Sequence, residues 1–447
     1  MPKRYWWKDA KIYELYVDRF AGNFQNLAQQ LDYLERLGVN ALHILPHYPS
    51  PMADGGYDVM EYLNVRPELG TMEDFDAFVK EAHRRGIRVI IDFVLNHVSE
   101  HHPWFLEARS SEDNNKRDYF LWSGTGQELS LGWNAFPDIK PGNWILNEET
   151  QDYFYATFYP QQPDLNWDNP EVFSGMMQNM DFWAGRGVDG FRLDAAVTLI
   201  KRDGTLSKGL PETHQLIKRI RKHLDDKFGG EIILLAEAHQ NVVEMKIYFG
   251  DGDECHLVYH FSLTEQLFLA LMRSDRTALD AMLEESRDIP ENCAWAIFLR
   301  NHDELSLATL EPDVRRELID YLDPDHAYAF NGGAATAKRL ASMFDDAKVR
   351  EAISILYSLP GAPIMYYGDE ISMPNLPVQE GVIDSRVYVR GEFDWLEASL
   401  QRNDPDSLFN FTRTVIRQSF WPYGTASAPS SPLPEAESPN DAETSPL

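Results

Sequence analysis

Cysteine is nearly absent: Cys255 and Cys293 are the only two in a chain of 447 residues. Two thiols rule out a disulfide framework and do not support a zinc site, so a cytosolic (cytoplasmic) setting is the natural expectation. Positive charge is scarce too. Lys and Arg number 41 against 71 Asp and Glu, a formal charge of −30, which disfavours nucleic acid and anionic membrane as partners because both would be repelled. No stretch reaches the roughly 20 apolar residues of a membrane span. The opening Met1 to Asp9 has the charges of a signal peptide without the apolar run that should follow them. From Trp421 the chain has no Lys or Arg, and the tail 421–447, rich in Pro, Ser, Ala and Glu, is expected to be disordered because such a composition cannot bury a core.

What is present is an ordinary hydrophobic content of 43% with 11 Trp and 20 Tyr. Most of these aromatics belong in a core, but in an acidic protein some suit stacking on a neutral, flat, hydroxylated molecule such as a sugar. Apolar runs at 12–17, 41–45 and 89–95 read as buried strands, with helical spacing at 26–37 and 71–85 between them. Thr71 with Asp74 opens the second helix, and Gly86 closes it. After an aromatic, Asn- and Pro-rich insertion at 98–169, too long for a plain loop, the alternation resumes. Strands are expected at 190–195, 232–236, 257–261, 296–299 and 363–367, with helices such as 171–186, 212–228, 263–272 and 351–358 among them. Eight such units predict an α/β fold, a (β/α)8 barrel over 1–97 and 170–420 with an inserted subdomain, whose active site lies at the carboxyl ends of the strands.

The stretch Gly187 to Ala195 is the centre of this pattern. Residues two apart share a face of a strand, so Arg192 and Asp194 point together while Phe191 and Leu193 pack the other way. An arginine beside a carboxylate holds it ionised, as a carboxylate nucleophile requires; a buried ion pair is the plainer reading of the two residues alone. Two further strand ends carry acids, Glu237 and Asp303. A pair of carboxylates flanking an acetal bond is the minimum for glycoside cleavage, one protonated and one ionised, and a third can tune its neighbour and bind hydroxyls.

The segments DFVLNH (92–97), GFRLDA (190–195), LLAEAH (234–239) and RNHDE (300–304), in this order, resemble the four signature regions of the alpha-amylase family of glycoside hydrolases. The resemblance implies Asp194 as nucleophile, Glu237 as general acid/base and Asp303 as transition-state stabiliser. It implies further that Arg192, His97 and His302 line the sugar pocket. Gln162 to Asn166 (QPDLN) is similar to the insertion motif of the oligo-1,6-glucosidase branch, which acts on short α-glucosides from the end. Asp54 to Asp58 (DGGYD) resembles the segment in which a tyrosine, here Tyr57, stacks on the terminal glucose and an aspartate, here Asp54, pairs with a distant arginine to seal the pocket. Position suggests Arg390 for that arginine. Within the branch the chain resembles the trehalose synthases from Asp9 to about Glu370, through segments such as 249–256 (FGDGDECH) and 298–305 (FLRNHDEL).

That resemblance implies interconversion of maltose and trehalose by glucosyl transfer, with no cofactor needed for the chemistry. It also implies a structural Ca²⁺ at Asn96 and Asp164, against which Lys201 falls near a position where an acidic ligand is expected. Two departures stand out. Residues 390–395 read RGEFDW, where relatives carry a different aglycone wall between the same arginine and tryptophan, and the polar tail begins where a carboxyl-terminal β-sandwich is expected, so that domain is expected to be missing. Hydrolysis of short α-glucosides is therefore the alternative outcome. A non-catalytic barrel serving as a binding subunit is the alternative of another class; a truncated, unstable product is the third. The expected partner is a small α-glucoside, with no nucleic acid and no membrane; subunit number is left open.

Overall fold

The computed structural model describes residues 5–419. Eight parallel strands close into a barrel: β1 (Ile12–Leu15), β2 (Ala41–Ile44), β3 (Arg88–Val94), β4 (Gly190–Asp194), β5 (Ile233–Ala236), β6 (Leu257–Tyr259), β7 (Ala294–Phe298) and β8 (Ala362–Tyr366). Neighbours pair in chain order, and β8 closes on β1 with Ile364 opposite Ile12. Almost every strand residue is buried. That is why the strands read as near-continuous apolar runs instead of alternating ones: helices cover one side of the sheet and the barrel interior fills the other.

The helices obey local chemistry. Asn23 caps Phe24–Leu37 through the Asn26 N–H, and Gly38, in the left-handed region at φ 106°, ends it. Thr71 and Asp74 form the expected capping box ahead of Met72–Arg84. Among the described residues no helix is long and apolar enough to cross a membrane. The tail expected to be disordered lies outside the described residues.

Two excursions rise above the carboxyl ends of the strands. The first, after β3, contains the helix Pro103–Ser110 and an antiparallel sheet of Trp122–Ser123, Asp152–Tyr155 and Trp144–Asn147. It packs on itself through Phe105, Phe120 and Phe154, and a bridge between His97 and Asp164 ties it to the end of β3. The second, after β7, is a small sheet of Leu305–Ser306, Ala335–Thr336 and Ala329–Phe330. Two-residue strands leave no periodic signal, so the sequence reading holds no counterpart to it. The excursions touch: Phe136 packs edge-on against Phe330 at 5.7 Å, Asn331 Nδ2 donates to the Ala135 carbonyl at 3.3 Å, and the Gly332 N–H donates to Asp138 at 2.7 Å.

Candidate active site

Under that roof, at the carboxyl ends of the strands, lies a cavity of about 400 Å³, within the range of roughly 300–1,000 Å³ usual for small-molecule sites. Asp54, Tyr57, His97, Asp194, Glu237 and Asp303 all line it. Of the residues expected from the sequence, Arg192, His302 and Arg390 do not line the cavity but stand behind these, each almost wholly buried.

Arg192 is the hub. Its Nη1 donates to Asp194 at 2.5 Å and to Asp92 at 3.0 Å, and its Nη2 meets Glu237 Oε2 at 2.9 Å. One guanidinium therefore fixes both carboxylates expected to flank the scissile bond. The residue after Asp194 sharpens this geometry: Ala195 adopts a left-handed conformation at φ 45°, rare for a residue with a Cβ, and its N–H donates to Glu237 Oε2 at 2.9 Å. Arg192 favours the ionised form of Asp194, as the sequence leads one to expect, but it acts against other influences. Burial pushes the Asp194 carboxyl well above the usual carboxylate range; Arg192 pulls against this, while the nearby Glu237 and Asp92 add to it. Beneath the site Asp92 is held below its ordinary value, Arg192 and His43 overcoming burial.

Asp303 sits in a different field. His302 Nε2 lies 3.1 Å from it, Arg390 Nη2 2.7 Å and Arg386 Nη1 3.3 Å. Burial is opposed here by three cations, and Asp303 falls well below its ordinary value. His302 is correspondingly raised to about 9: burial works against its charge, and Asp303 and Glu14 outweigh it. Tyr57 stacks on His302 at 5.4 Å and donates its hydroxyl to Asp92 at 2.8 Å.

The partner expected for Asp54 is wrong by one turn of chain. Arg386, not Arg390, holds Asp54, Nη2 to Oδ1 at 3.0 Å, while Gln162 donates to its other oxygen at 3.1 Å. Arg390 turns to Asp303 and packs on Gly55, where a Cβ would stand 2.3 Å from its Nη1. Gly55 also lies at φ 56°, so both space and backbone favour glycine there.

The expected calcium site does not fit calcium. Lys201 Nζ lies 2.6 Å from Asn96 Oδ1 and 2.7 Å from Asp164 Oδ2, placing an ammonium where the cation would bind. Asn96 accepts also from Thr198, and Asp164 from Thr157. Among the described residues no cluster of three or more His, Cys, Asp or Glu is placed to hold a metal ion. The arrangement serves His97 instead. Asn96 Nδ2 is placed to donate to His97 Nδ1 at 3.2 Å, which puts the ring hydrogen on Nε2. Burial lowers His97 to about 4, so the ring is neutral. Its ring N–H is a donor on a residue that lines the cavity.

The departure at 390–395 does not form a wall of the cavity. Phe393 and Trp395 pack on Phe20 and Tyr33 at the outside of the barrel. The outer half of the cavity comes from the two excursions and from Lys208, whose ammonium sits 4.4 Å from the centre of the Trp133 ring. Glu304 faces the same space, pushed up to about 7 by burial and by the adjacent Asp303. Sequence reading missed Arg386, Lys208, Trp133 and Phe136. Only Arg386 left a signal, as a second arginine in the same segment.

The chain is similar to several known proteins. The family model described as "Alpha amylase, catalytic domain" matches residues 2–322. A trehalose synthase/amylase from Mycobacterium tuberculosis is 38% identical, the match covering 92% of this chain and 74% of that one. A trehalose synthase from Thermus thermophilus is 41% identical over 93% of this chain, which spans only 42% of the Thermus protein. An oligo-1,6-glucosidase from Parageobacillus thermoglucosidasius is more distant, at 28% over 84% of this chain and 67% of its own. Among solved structures, an isomaltulose synthase from a Klebsiella species superposes with a TM-score of 0.74 at 24% identity, covering 93% of this chain and 84% of that one; at that identity it speaks to the fold.

Proposed function

The chain belongs to the alpha-amylase family of glycoside hydrolases and transglycosylases, and we propose that it is a retaining, trehalose synthase-like enzyme that interconverts maltose and trehalose. Asp194, as carboxylate, attacks the anomeric carbon while Glu237 gives its proton to the glycosidic oxygen; the C–O bond to the departing glucose breaks as the ester bond to Asp194 forms. The freed glucose turns within the cavity. Glu237 then takes the proton of its anomeric hydroxyl, whose oxygen displaces Asp194, and retention follows from two inversions. Asp303 stabilises the oxocarbenium-like transition state, His97 Nε2 donates to a hydroxyl, and Tyr57 with the Asp54–Arg386 pair bounds the end of the pocket.

The observation that carries this reading is the pair Asp194 and Glu237 bound to the two terminal nitrogens of one arginine. Carboxylates so joined suit the spacing of about 5–5.5 Å used for covalent catalysis better than the wider gap that admits an inverting water. The chemistry draws on carboxylates without a cofactor, and the substrate class is a small, uncharged α-glucoside. Cys255 and Cys293 are free and buried, in keeping with a cytoplasmic setting. Incubation with maltose and analysis of the sugars is the test. Trehalose as product supports glucosyl transfer; glucose alone selects the exo-acting α-glucosidase instead, and no turnover at all returns the barrel to a binding role.

A further inference from the structure

Inside the barrel, beneath the cavity, a charged ladder crosses three adjacent strands at a level where apolar layers are usual. Glu14 of β1, His43 of β2 and Asp92 of β3 are each 0% exposed. His43 Nδ1 lies 3.2 Å from Glu14 Oε2, and its Nε2 lies 3.2 Å from Asp92 Oδ2. A neutral imidazole has one N–H, so it would turn a bare nitrogen onto one of the two carboxylates.

Neither carboxylate has room to take up the missing proton. Glu14 Oε2 also accepts from the Tyr259 hydroxyl at 3.1 Å, and Oε1 accepts from the His302 backbone N–H at 3.0 Å and ring Nδ1 at 2.9 Å. Asp92 accepts from the Tyr57 hydroxyl at 2.8 Å and from Arg192 at 3.0 Å. Every oxygen of both groups is met by a donor, the pattern of two ionised carboxylates.

We propose that His43 is a buried imidazolium and a positioning residue for glucosyl transfer, clamping Glu14 and Asp92 so that the supports of Asp194 and Asp303 form one network. The path is continuous: Asp194 to Arg192, Arg192 to Asp92, Asp92 to His43, His43 to Glu14, Glu14 to His302, and His302 to Asp303. Tyr57 closes it into a ring by joining Asp92 to His302. The groups facing His43 are Glu14 from β1, Asp92 from β3 and the Tyr259 hydroxyl from β6, the last at 3.4 Å from Nδ1. Burial opposes the charge on His43, and the two carboxylates outweigh it, raising its pKa above the ordinary histidine value. Without this cation Asp92 would share Arg192 less fully with Asp194, and both carboxylates would keep their protons to higher pH.

The kinetic arm of the test rests on Asp194 as nucleophile; the other arm does not. With 4-nitrophenyl α-glucoside as substrate, His43→Gln should move the acid limb of the kcat/KM profile upward by about one pH unit. A folded variant with the wild-type limb overturns the proposal, because a purely structural role would lower Tm and leave the limb in place. Ring-15N histidine labelling of the unmodified protein reads the charge itself, with His43→Gln used only to assign the signal, or the signal's contact to Tyr259 where that variant does not fold. Two protonated nitrogens at pH 7 are expected. A single neutral tautomer overturns the proposal even where the enzyme turns over no glucoside, which would count against the functional reading alone.

Discussion

Arg386 and Asp54 form a buried ion pair at 3.0 Å in which each side chain is only 6% exposed. The same guanidinium reaches Asp384 at 2.8 Å and Asp303 at 3.3 Å. Phe136 from one excursion and Phe330 from the other lie 4.5 Å and 5.1 Å from its carbon. One arginine thus ties the end wall of the pocket to the third carboxylate and to the roof. A planar cation between two rings, with carboxylates at its edge, is a role lysine cannot copy.

A double-mutant cycle should expose this. Asp54→Asn combined with Arg386→Gln should show a coupling of about 1–3 kcal/mol in urea unfolding, and Asp54→Asn with Arg390→Gln, which share a network but no direct bond, a smaller one. Arg386→Ala alone should cost about 3–5 kcal/mol, because it leaves buried carboxylates without their cation. Strong coupling to Arg390 and none to Arg386 would reinstate the partner expected from the sequence.

Asp194 and Glu237 should separate with an activated substrate. Glu237→Gln is expected to lose about 10²–10⁴-fold in kcat on maltose but far less on α-glucosyl fluoride, whose leaving group needs no proton. Asp194→Ala should lose both activities. Equal losses on the two substrates in Glu237→Gln would remove that residue from the role of acid.

The sequence disclosed the barrel because each strand is an apolar run bounded by turn or cap residues, and it disclosed Asp194, Glu237 and Asp303 as acids at three strand ends. The residues it hid are those whose meaning depends on other segments. Arg386 and Arg390 are four apart in one loop, and which of them reaches Asp54 depends on how that loop lies across Gly55, a matter of packing between segments more than 330 positions apart. His43 sits in an apolar stretch and reads as a core residue until Glu14 and Asp92 are placed on either side of it. The departure at 391–394, next in chain to a matching arginine, points to the wall of the outer cavity. Phe393 and Trp395 instead fill the space against Phe20 and Tyr33, and the wall comes from Trp133 and Phe136 some 250 positions earlier.

Lys201 makes a prediction about calcium. Its ammonium satisfies both Asn96 and Asp164, so chelation with EDTA should leave Tm and activity unchanged. Lys201→Met should destabilise by about 3–5 kcal/mol through the unpaired Asp164, with millimolar Ca²⁺ restoring part of that loss where the ion can enter the vacated space. A fall in Tm on chelation of the unmodified protein would contradict the arrangement.

His302 sets an alkaline limit on stability. Its pKa is raised in the folded protein to about 9 from an unfolded value near 6.5. The stabilisation from its charged form is therefore complete below about pH 6.5 and lost as pH rises through about 9, a change of roughly 3 kcal/mol. Chemical denaturation of the wild type from pH 6.5 to 9 should show this decline, and His302→Asn should start less stable and follow a flatter curve. Parallel curves would place the proton elsewhere in the Glu14–His302–Asp303 cluster.

On the proposed mechanism the roof should influence whether a freed glucose is retained. In the outer half of the cavity Phe136 packs on Phe330 and Asn331 donates to the Ala135 carbonyl. The two excursions hold each other through this ring pair, the Arg386 guanidinium packed on both rings and a few hydrogen bonds. Phe330→Ala removes the ring pair and one of the two rings packed on Arg386, but leaves Asp194, Glu237 and Asp303 themselves in place. It should raise the ratio of glucose to trehalose formed from maltose several-fold, with consumption of maltose lowered less than trehalose formation. Circular dichroism should show the fold retained while Tm falls, since Phe330 is buried against Phe136 and Arg386 in a small cluster separate from the main core. An unchanged product ratio in a folded Phe330→Ala variant would mean that retention of the sugar depends on Lys208, Trp133 and Glu304 in the cavity wall rather than on the Phe136–Phe330 contact.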